Sequence, residues 1–494
     1  MVVMKFHRIL EMVIALSAIA LARAAEPILI APLYIEYTSS SAGEFAKEVK
    51  DLKQSIGQAP GVLVGFSAFL NVRFTGASLN KPIDRSVMQP TLDDIDLIVE
   101  RARQNDLPVH ISIHSGFFHS PNTLREAAIR TDVRNAQWFS DGWIAIPEEI
   151  GSRNTLPRSA WATPSRYAQP LRQQMEESTR LIGEHLTAAM KRFPETLHSI
   201  SGDTEVEFSY ERNLDAGERP RANGQLFYAD YSPFMVAEFR DWLRKARYAG
   251  DLSPASDDDH DGHTFNQDYR QGFRTWRLRY FDESGPIPFD QYRAMPQKLP
   301  QSGRYFIDGG FDAPRIAGAA TPLWQAWKEF RVRVVVNYAH DFAEWITAGS
   351  RIPASRFYTH QIPAEYLFEG KDTLRLETSA SPLETAFIQP FGSSGVTVFD
   401  TFDGKNHTKT SNPGMFRRLE QSGTHWGILE YNPSVPAAAD ENYYLTELRA
   451  LYSFHPSVIA PFAWTNEALH KKYRIQDTAY ERALKKFIQE IRSR

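Results

Sequence analysis

His425-Trp-Gly-Ile-Leu-Glu-Tyr-Asn-Pro433 is a short apolar run closed by a carboxylate, Glu430. Such a run, ended by a turn residue, reads as a buried strand. A carboxylate is expensive to hold at the end of a buried strand unless something there uses it. A second stretch, Ile200-Ser-Gly-Asp-Thr-Glu-Val-Glu207, has the same form around Glu205, and the two glutamates stand 225 positions apart.

Working outward, strand-like runs alternate with helix-like ones. Pro27–Ile35, Gly61–Phe66 and Pro108–His114 give three strands, and Leu197–Glu205 a fourth. Arg356–His360, Gly395–Asp400, His425–Glu430 and Val458–Trp464 give four more. Between them, Phe45, Val49, Leu52 and Ile56 fall on one helical face, and a capping box at Thr91-Leu-Asp-Asp94 opens a helix that buries Ile95, Ile98 and Ala102. A long helical stretch covers about 168–192, and Tyr480, Leu484, Phe487 and Ile491 line a last amphipathic helix. Eight strands with intervening helices predict an α/β chain folded as a (β/α)8 barrel. About 150 residues separate strands four and five, where a plain βα unit needs roughly 30. An insertion at about 208–350 is therefore expected on the face that carries the strand ends, within a single domain spanning 25–494.

The 494 residues are 42% hydrophobic, ample for a large core, and the net charge of −4 gives no footprint for nucleic acid or an anionic membrane surface. Lys5, His7 and Arg8, the apolar run Met12–Leu21 and Ala22-Arg23-Ala24 read as a signal peptide over 1–24, so a secreted or periplasmic protein with no membrane span after cleavage is expected. There is no cysteine, which excludes thiol catalysis and thiolate metal sites.

In such a barrel, reactive groups project from the C-terminal ends of the strands. A census there yields Glu36, Arg73, His114, Asp203, Glu205, Glu207, His360, Gln361, Asp400, Glu430 and Trp464. Two carboxyl groups across one mouth suit glycosidic cleavage, in which one protonates the leaving oxygen and the other attacks the anomeric carbon or activates water. Glu430 follows Ile428-Leu429, and Tyr431 beside it could donate a hydrogen bond that holds it ionised. Glu205 and Glu207 would share one face of an extended strand, so only one can be the acid; a loop after Gly202-Asp203 would bring Glu205 into the mouth first, with Asp203 as a hydrogen-bonding support. Arg73 could fix an ionised carboxylate by its charge. His114, His360 and Gln361 could hydrogen-bond sugar hydroxyls, and Trp138 and Trp143 could form outer platforms.

On these residues the chain resembles clan A of the glycoside hydrolases, most nearly the catalytic barrel of the family 42 β-galactosidases. Tyr231-Ser-Pro-Phe234, Glu238-Phe-Arg-Asp-Trp-Leu243 and Trp324-Gln-Ala-Trp-Lys-Glu-Phe330 are similar to the family's segments after strand four. The resemblance implies a retaining hydrolase acting on carbohydrate, with Glu205 ending strand four as acid/base and Glu430 ending strand seven as nucleophile. It also implies that Trp464 stacks on the sugar ring. The family has Asn immediately before the acid/base, where this chain has Thr204. Three alternatives stay open, an inverting barrel glycosidase, a carbohydrate-binding pseudoenzyme and a metal-dependent barrel hydrolase.

Catalysis by these groups needs no cofactor. His110, His114 and His119 suggest a metal, but four strand residues separate His110 from His114 by about 13 Å, too far for one zinc. Asp257-Asp-Asp-His-Asp-Gly-His-Thr-Phe-Asn-Gln-Asp268 sets Asp257, Asp259, Asp261, His263 and Asp268 at the ligand spacing of a calcium loop, which would make Ca2+ a structural ion. A solvated acidic turn is the alternative. Oligomeric state has no signature in the sequence.

Overall fold

The computed structural model describes residues 27–114, 123–138, 144, 162–204, 206, 208, 210–212, 226–230, 232–235, 238–239, 242, 286, 288, 322–363, 383–388, 391–399, 413–433, 440–464 and 474–492. The expected leader, Glu205, Glu207, Trp143, His119, Asp400 and the acidic loop with Asp257, Asp259, Asp261, His263 and Asp268 lie outside the described residues.

The strands are β1 (Ile28–Ile30), β2 (Val62–Val64 and, after Gly65, Phe66–Asn71), β3 (Val109–His114), β4 (Leu197–Ser201), β5 (Phe357–Tyr358), β6 (Ser393–Phe399), β7 (His425–Asn432) and β8 (Val458–Pro461). These eight pair in parallel, while Tyr210–Arg212 and Leu226–Tyr228 form a separate antiparallel pair. The first segment of β2 pairs with β1 and the second with β3, so the two ends of the sheet are one strand and the eight close into a ring. Gly65 makes the join: its N–H bonds Ile30, Phe66 N–H bonds Pro108, and a Cβ at Gly65 would collide with the Pro108 carbonyl. The architecture is the (β/α)8 barrel that the strand order predicts.

Helices clothe the ring: α1 (Ala42–Ile56), α2 (Arg85–Gln104), α3 (Thr123–Thr131), α4 (Gln169–Arg192), α5 (Pro322–Thr347), α6 (Pro413–Gln421), α7 (Glu441–Tyr452) and α8 (Ala479–Arg492). In α1 the Ser41 hydroxyl accepts from Glu44 N–H and the Glu44 carboxylate accepts from Ser41 N–H, a complete capping box. Its buried face is Phe45, Val49, Leu52 and Ile56, as expected. Burying each such side chain stabilises by about 1.5–3 kcal/mol. α2 starts seven residues earlier than its Thr91 box predicts, because the Asp84 carboxylate accepts from Ser86 and Val87 N–H and caps there instead. α5, inside the expected insertion, packs against α4 and takes the place of the helix that follows β4. α8 packs on both α7 and α1, completing the outer layer. Among the described residues no helix is long and apolar enough to cross a membrane.

Strand alternation sorts the barrel into two cores. Ile28, Ile30, Val62, Val64, Val109, Ile111, Ile200, Val396, Val398, Ile428 and Ile459 face outward into one large cluster with the helices. Leu29, Ala31, Tyr358, Leu429 and Val458 meet inside the barrel, and Leu33, Phe462 and Ala463 meet above them.

Candidate active site

Glu430 reaches the inside of the barrel because β7 is bulged. Gly427 pairs with Gly395 and Ile428 with Val396, but Glu430, not Leu429, pairs with Thr397. Without the extra residue, Glu430 would share the outward face of Trp426 and Ile428. With it, Glu430 and Asn432 both turn inward at the C-terminal end of the strand, and Leu429 folds down over Gly395, where a Cβ would collide with it.

The Glu430 carboxyl is half-buried, and the Asn432 side-chain amide donates to its Oε1 over 2.9 Å. Burial pushes the carboxyl up to about 7, with the Asn432 amide pulling the other way. Tyr431 does not hold it, contrary to expectation. Its ring faces the helices, fully buried, 6.0 Å from Tyr480, because the residue after an inward one points outward.

On the other side of the interior runs a continuous line of buried polar groups. His110 Nδ1 lies 2.8 Å from Ser199 Oγ and Nε2 lies 3.1 Å from Ser201 Oγ. Ser201 and Ser112 are 3.0 Å apart, and His360 Nδ1 lies 3.3 Å from Ser201 and 3.4 Å from Ser112. His360 Nε2 ends the line 3.1 Å from Thr397 Oγ1, beside Glu430 in the register. Burial, reinforced by His360 and His198, holds His110 well below the ordinary imidazole range, so it is neutral. Both imidazoles are fully buried and serve as links in this line.

The other candidates divide by face. His114 is half-buried at the end of β3 with its ring 4.2 Å from Phe69, on the inner side. Glu36 is half-buried in the 3-10 turn Ile35–Tyr37 that follows β1. Thr204 is buried, its N–H bonded to Ile113. Asp203 turns to α5, accepting from the Tyr338 hydroxyl over 2.9 Å, so it braces a helix. Arg73 pairs with Asp94 of α2 at 2.6 Å and donates to the Pro90 carbonyl. Gln361 is buried, its backbone bridging to Val396. Trp464 is fully buried, with its indole N–H donating to Glu48 of α1 over 3.2 Å and its ring beside Phe66. It offers no face to a sugar. Trp138 is likewise core, bonded to the Val133 carbonyl.

Asn432 and Thr397 escaped the sequence reading. Asn432 had a visible signal, since it stands two residues beyond Glu430 and shares its face in a strand. The serine and histidine line had one as well: His110, Ser112, Ser199 and Ser201 alternate with Ile111, Ile113 and Ile200 in strands that a parallel barrel buries on both sides.

Among the described residues the one cluster with metal-ligand spacing is His340, Asp341 and Glu344 on α5, outside the barrel, where Asp341 already pairs with Arg172.

No protein-family model matches the chain, and no curated protein matches its sequence. Among solved structures, an endo-1,4-beta-mannanase from Rhizomucor miehei is similar over 94% of this chain and 95% of its own, with 9% identity and a TM-score of 0.45. A GH5_18 protein from Streptomyces cattleya in complex with GlcNAc matches over 95% and 81%, with 10% identity and a TM-score of 0.43. An exo-carrageenase of family GH42 from Bacteroides ovatus matches over 95% of this chain and 51% of its own, with 9% identity and a TM-score of 0.46.

Proposed function

We propose that this chain is an exported glycoside hydrolase that cleaves O-glycosidic bonds in an oligo- or polysaccharide by a retaining mechanism. The observation that carries this reading is the β7 bulge, which spends a residue of strand regularity to put the Glu430 carboxyl, half-buried and amide-bonded, at the barrel mouth. Nucleophilic Glu430 attacks the anomeric carbon as the glycosidic bond breaks, while Glu205, or Glu207 in its place, gives the leaving oxygen its proton. Water, deprotonated by that same residue, then displaces Glu430 and restores it as a carboxylate. Retention requires the two carboxyl groups to stand about 5–5.5 Å apart, and about 6.5 Å or more would mean inversion.

Glu430→Ala tests the reading directly. Turnover should fall by about 10⁴-fold, and azide should restore it with a glycosyl azide of inverted configuration as product. Unimpaired turnover by the variant would refute the role of Glu430. Binding without turnover by the wild-type protein, across a broad glycan panel, would make the chain a carbohydrate-binding pseudoenzyme.

One observation favours a second reading: burial lifts Glu430 to about 7, which suits a carboxyl that donates a proton. As nucleophile, Glu430 must be ionised, so kcat/KM should rise with pH through about 7; as acid it would fall over that interval.

A further inference from the structure

We infer that Asn432 is a positioning residue that holds the Glu430 carboxylate in its attacking orientation, an inference that rests on the nucleophilic role given to Glu430. Three observations converge. The amide Nδ2 lies 2.9 Å from Oε1. Asn432 is 3% exposed, so its amide has no competing water shell. The same bulge that turns Glu430 inward turns Asn432 inward with it, since the pairing of Glu430 with Thr397, Tyr431 with Val398 and Asn432 with Phe399 is regular beyond the shift.

The chemistry follows from the donor count. A carboxylate only accepts, and the amide nitrogen is the end of Asn432 that can donate to it. With Oε1 engaged, Oε2 is the oxygen left to form the bond to the anomeric carbon, and rotation about the last torsion of Glu430 is restrained. The bond also favours the charged form in a place where burial works against it. No bond to substrate is assigned to Asn432; it acts through Glu430.

The test is a double-mutant cycle on aryl glycosides of whichever sugar the wild-type enzyme hydrolyses, with a dinitrophenyl leaving group that needs no proton. Asn432→Leu should lower kcat by about 10- to 100-fold, the worth of a hydrogen bond to a charged group, with KM changed by less than about threefold. Asn432→Asp, which fills the same space without an N–H, should be at least as impaired. In the Glu430→Ala background, with azide as nucleophile, adding Asn432→Leu should cost less than about threefold, because the carboxylate it would have held is gone. Equal losses in both backgrounds would show a merely structural role and overturn the inference, as would normal turnover by Asn432→Asp. Such outcomes leave the nucleophile standing if Glu430→Ala alone is inactive and azide-rescued. Full activity in Glu430→Ala would remove the nucleophile and the role of Asn432 together.

Discussion

The two halves of the barrel interior are built from opposite materials. On the side of β7, β8, β1 and β2, Leu429, Val458, Phe462, Ala463, Leu29, Ala31, Leu33 and Phe69 meet as hydrocarbon, joined from across the barrel by the Tyr358 ring of β5. From β3 to β6, His110, Ser112, Ser199, Ser201, His360 and Thr397 meet as one hydrogen-bonded line. The first half stabilises simply by being out of water. The second does so only while every member keeps its partners, because a buried polar group left unpaired costs about 1–3 kcal/mol. Its last member, Thr397, is the register partner of Glu430. Glu430 therefore sits on the seam between the halves, with Leu429 beneath it and Thr397 beside it. That position accounts for a carboxyl that burial drives up to about 7 and that a single amide opposes.

Substitutions on either side of the seam should fail differently. Leu429→Ala opens a cavity over Gly395, with an expected loss of about 2–5 kcal/mol in denaturant unfolding. It also removes the floor under Glu430, so activity should fall with stability. His110→Leu keeps the volume but strips Ser199 and Ser201 of an imidazole partner, for an expected loss of about 1–3 kcal/mol. A polar half whose hydrogen bonds contributed nothing would tolerate His110→Leu without loss, and the comparison would break there.

The pH dependence of stability is a finer probe of the seam. Glu430 is raised from 4.5 in the unfolded chain to about 7 in the folded one, so its contribution is fully present below about 4.5 and is lost as pH rises through 7. Glu430→Gln cannot ionise and escapes that loss. The variant should match the wild type near pH 4.5 and exceed it at pH 8 by about 1–3 kcal/mol, read from melting temperatures across the series. Equal pH profiles for the two proteins would place Glu430 in water and dissolve the seam.

Much of this fold was legible because parallel strands buried on both faces leave apolar runs, and eight of them stand in the chain in barrel order. The site was less so. Counting residues at strand ends gives position along the barrel axis but not the face, and the face changes with every residue. Arg73, Asp203, Tyr431 and Trp464 all stand at strand ends, yet each turns to a helix, where Asp94, Tyr338, Tyr480 and Glu48 receive it. Glu430 is the reverse case. Strict alternation from Trp426 and Ile428 sends it outward, and only the unannounced bulge brings it in.

Trp464 makes the smallest and cleanest test of that distinction between face and position. A tryptophan stacked on a sugar loses affinity when the indole is cut down, while one packed against α1 loses stability. Trp464→Phe removes the N–H that donates to Glu48 and part of the ring beside Phe66. The expected cost is about 1–2 kcal/mol of folding stability, one net hydrogen bond plus a modest loss of buried area. Glu48→Gln keeps an acceptor for the indole and should cost less, about 0.5–1 kcal/mol. Neither variant should move KM by more than about twofold, because at full burial the indole has no face left for substrate. A rise of about tenfold or more in KM for Trp464→Phe, with stability intact, would mean that β8 turns this side chain to the mouth and that the inner wall there is part of the sugar site.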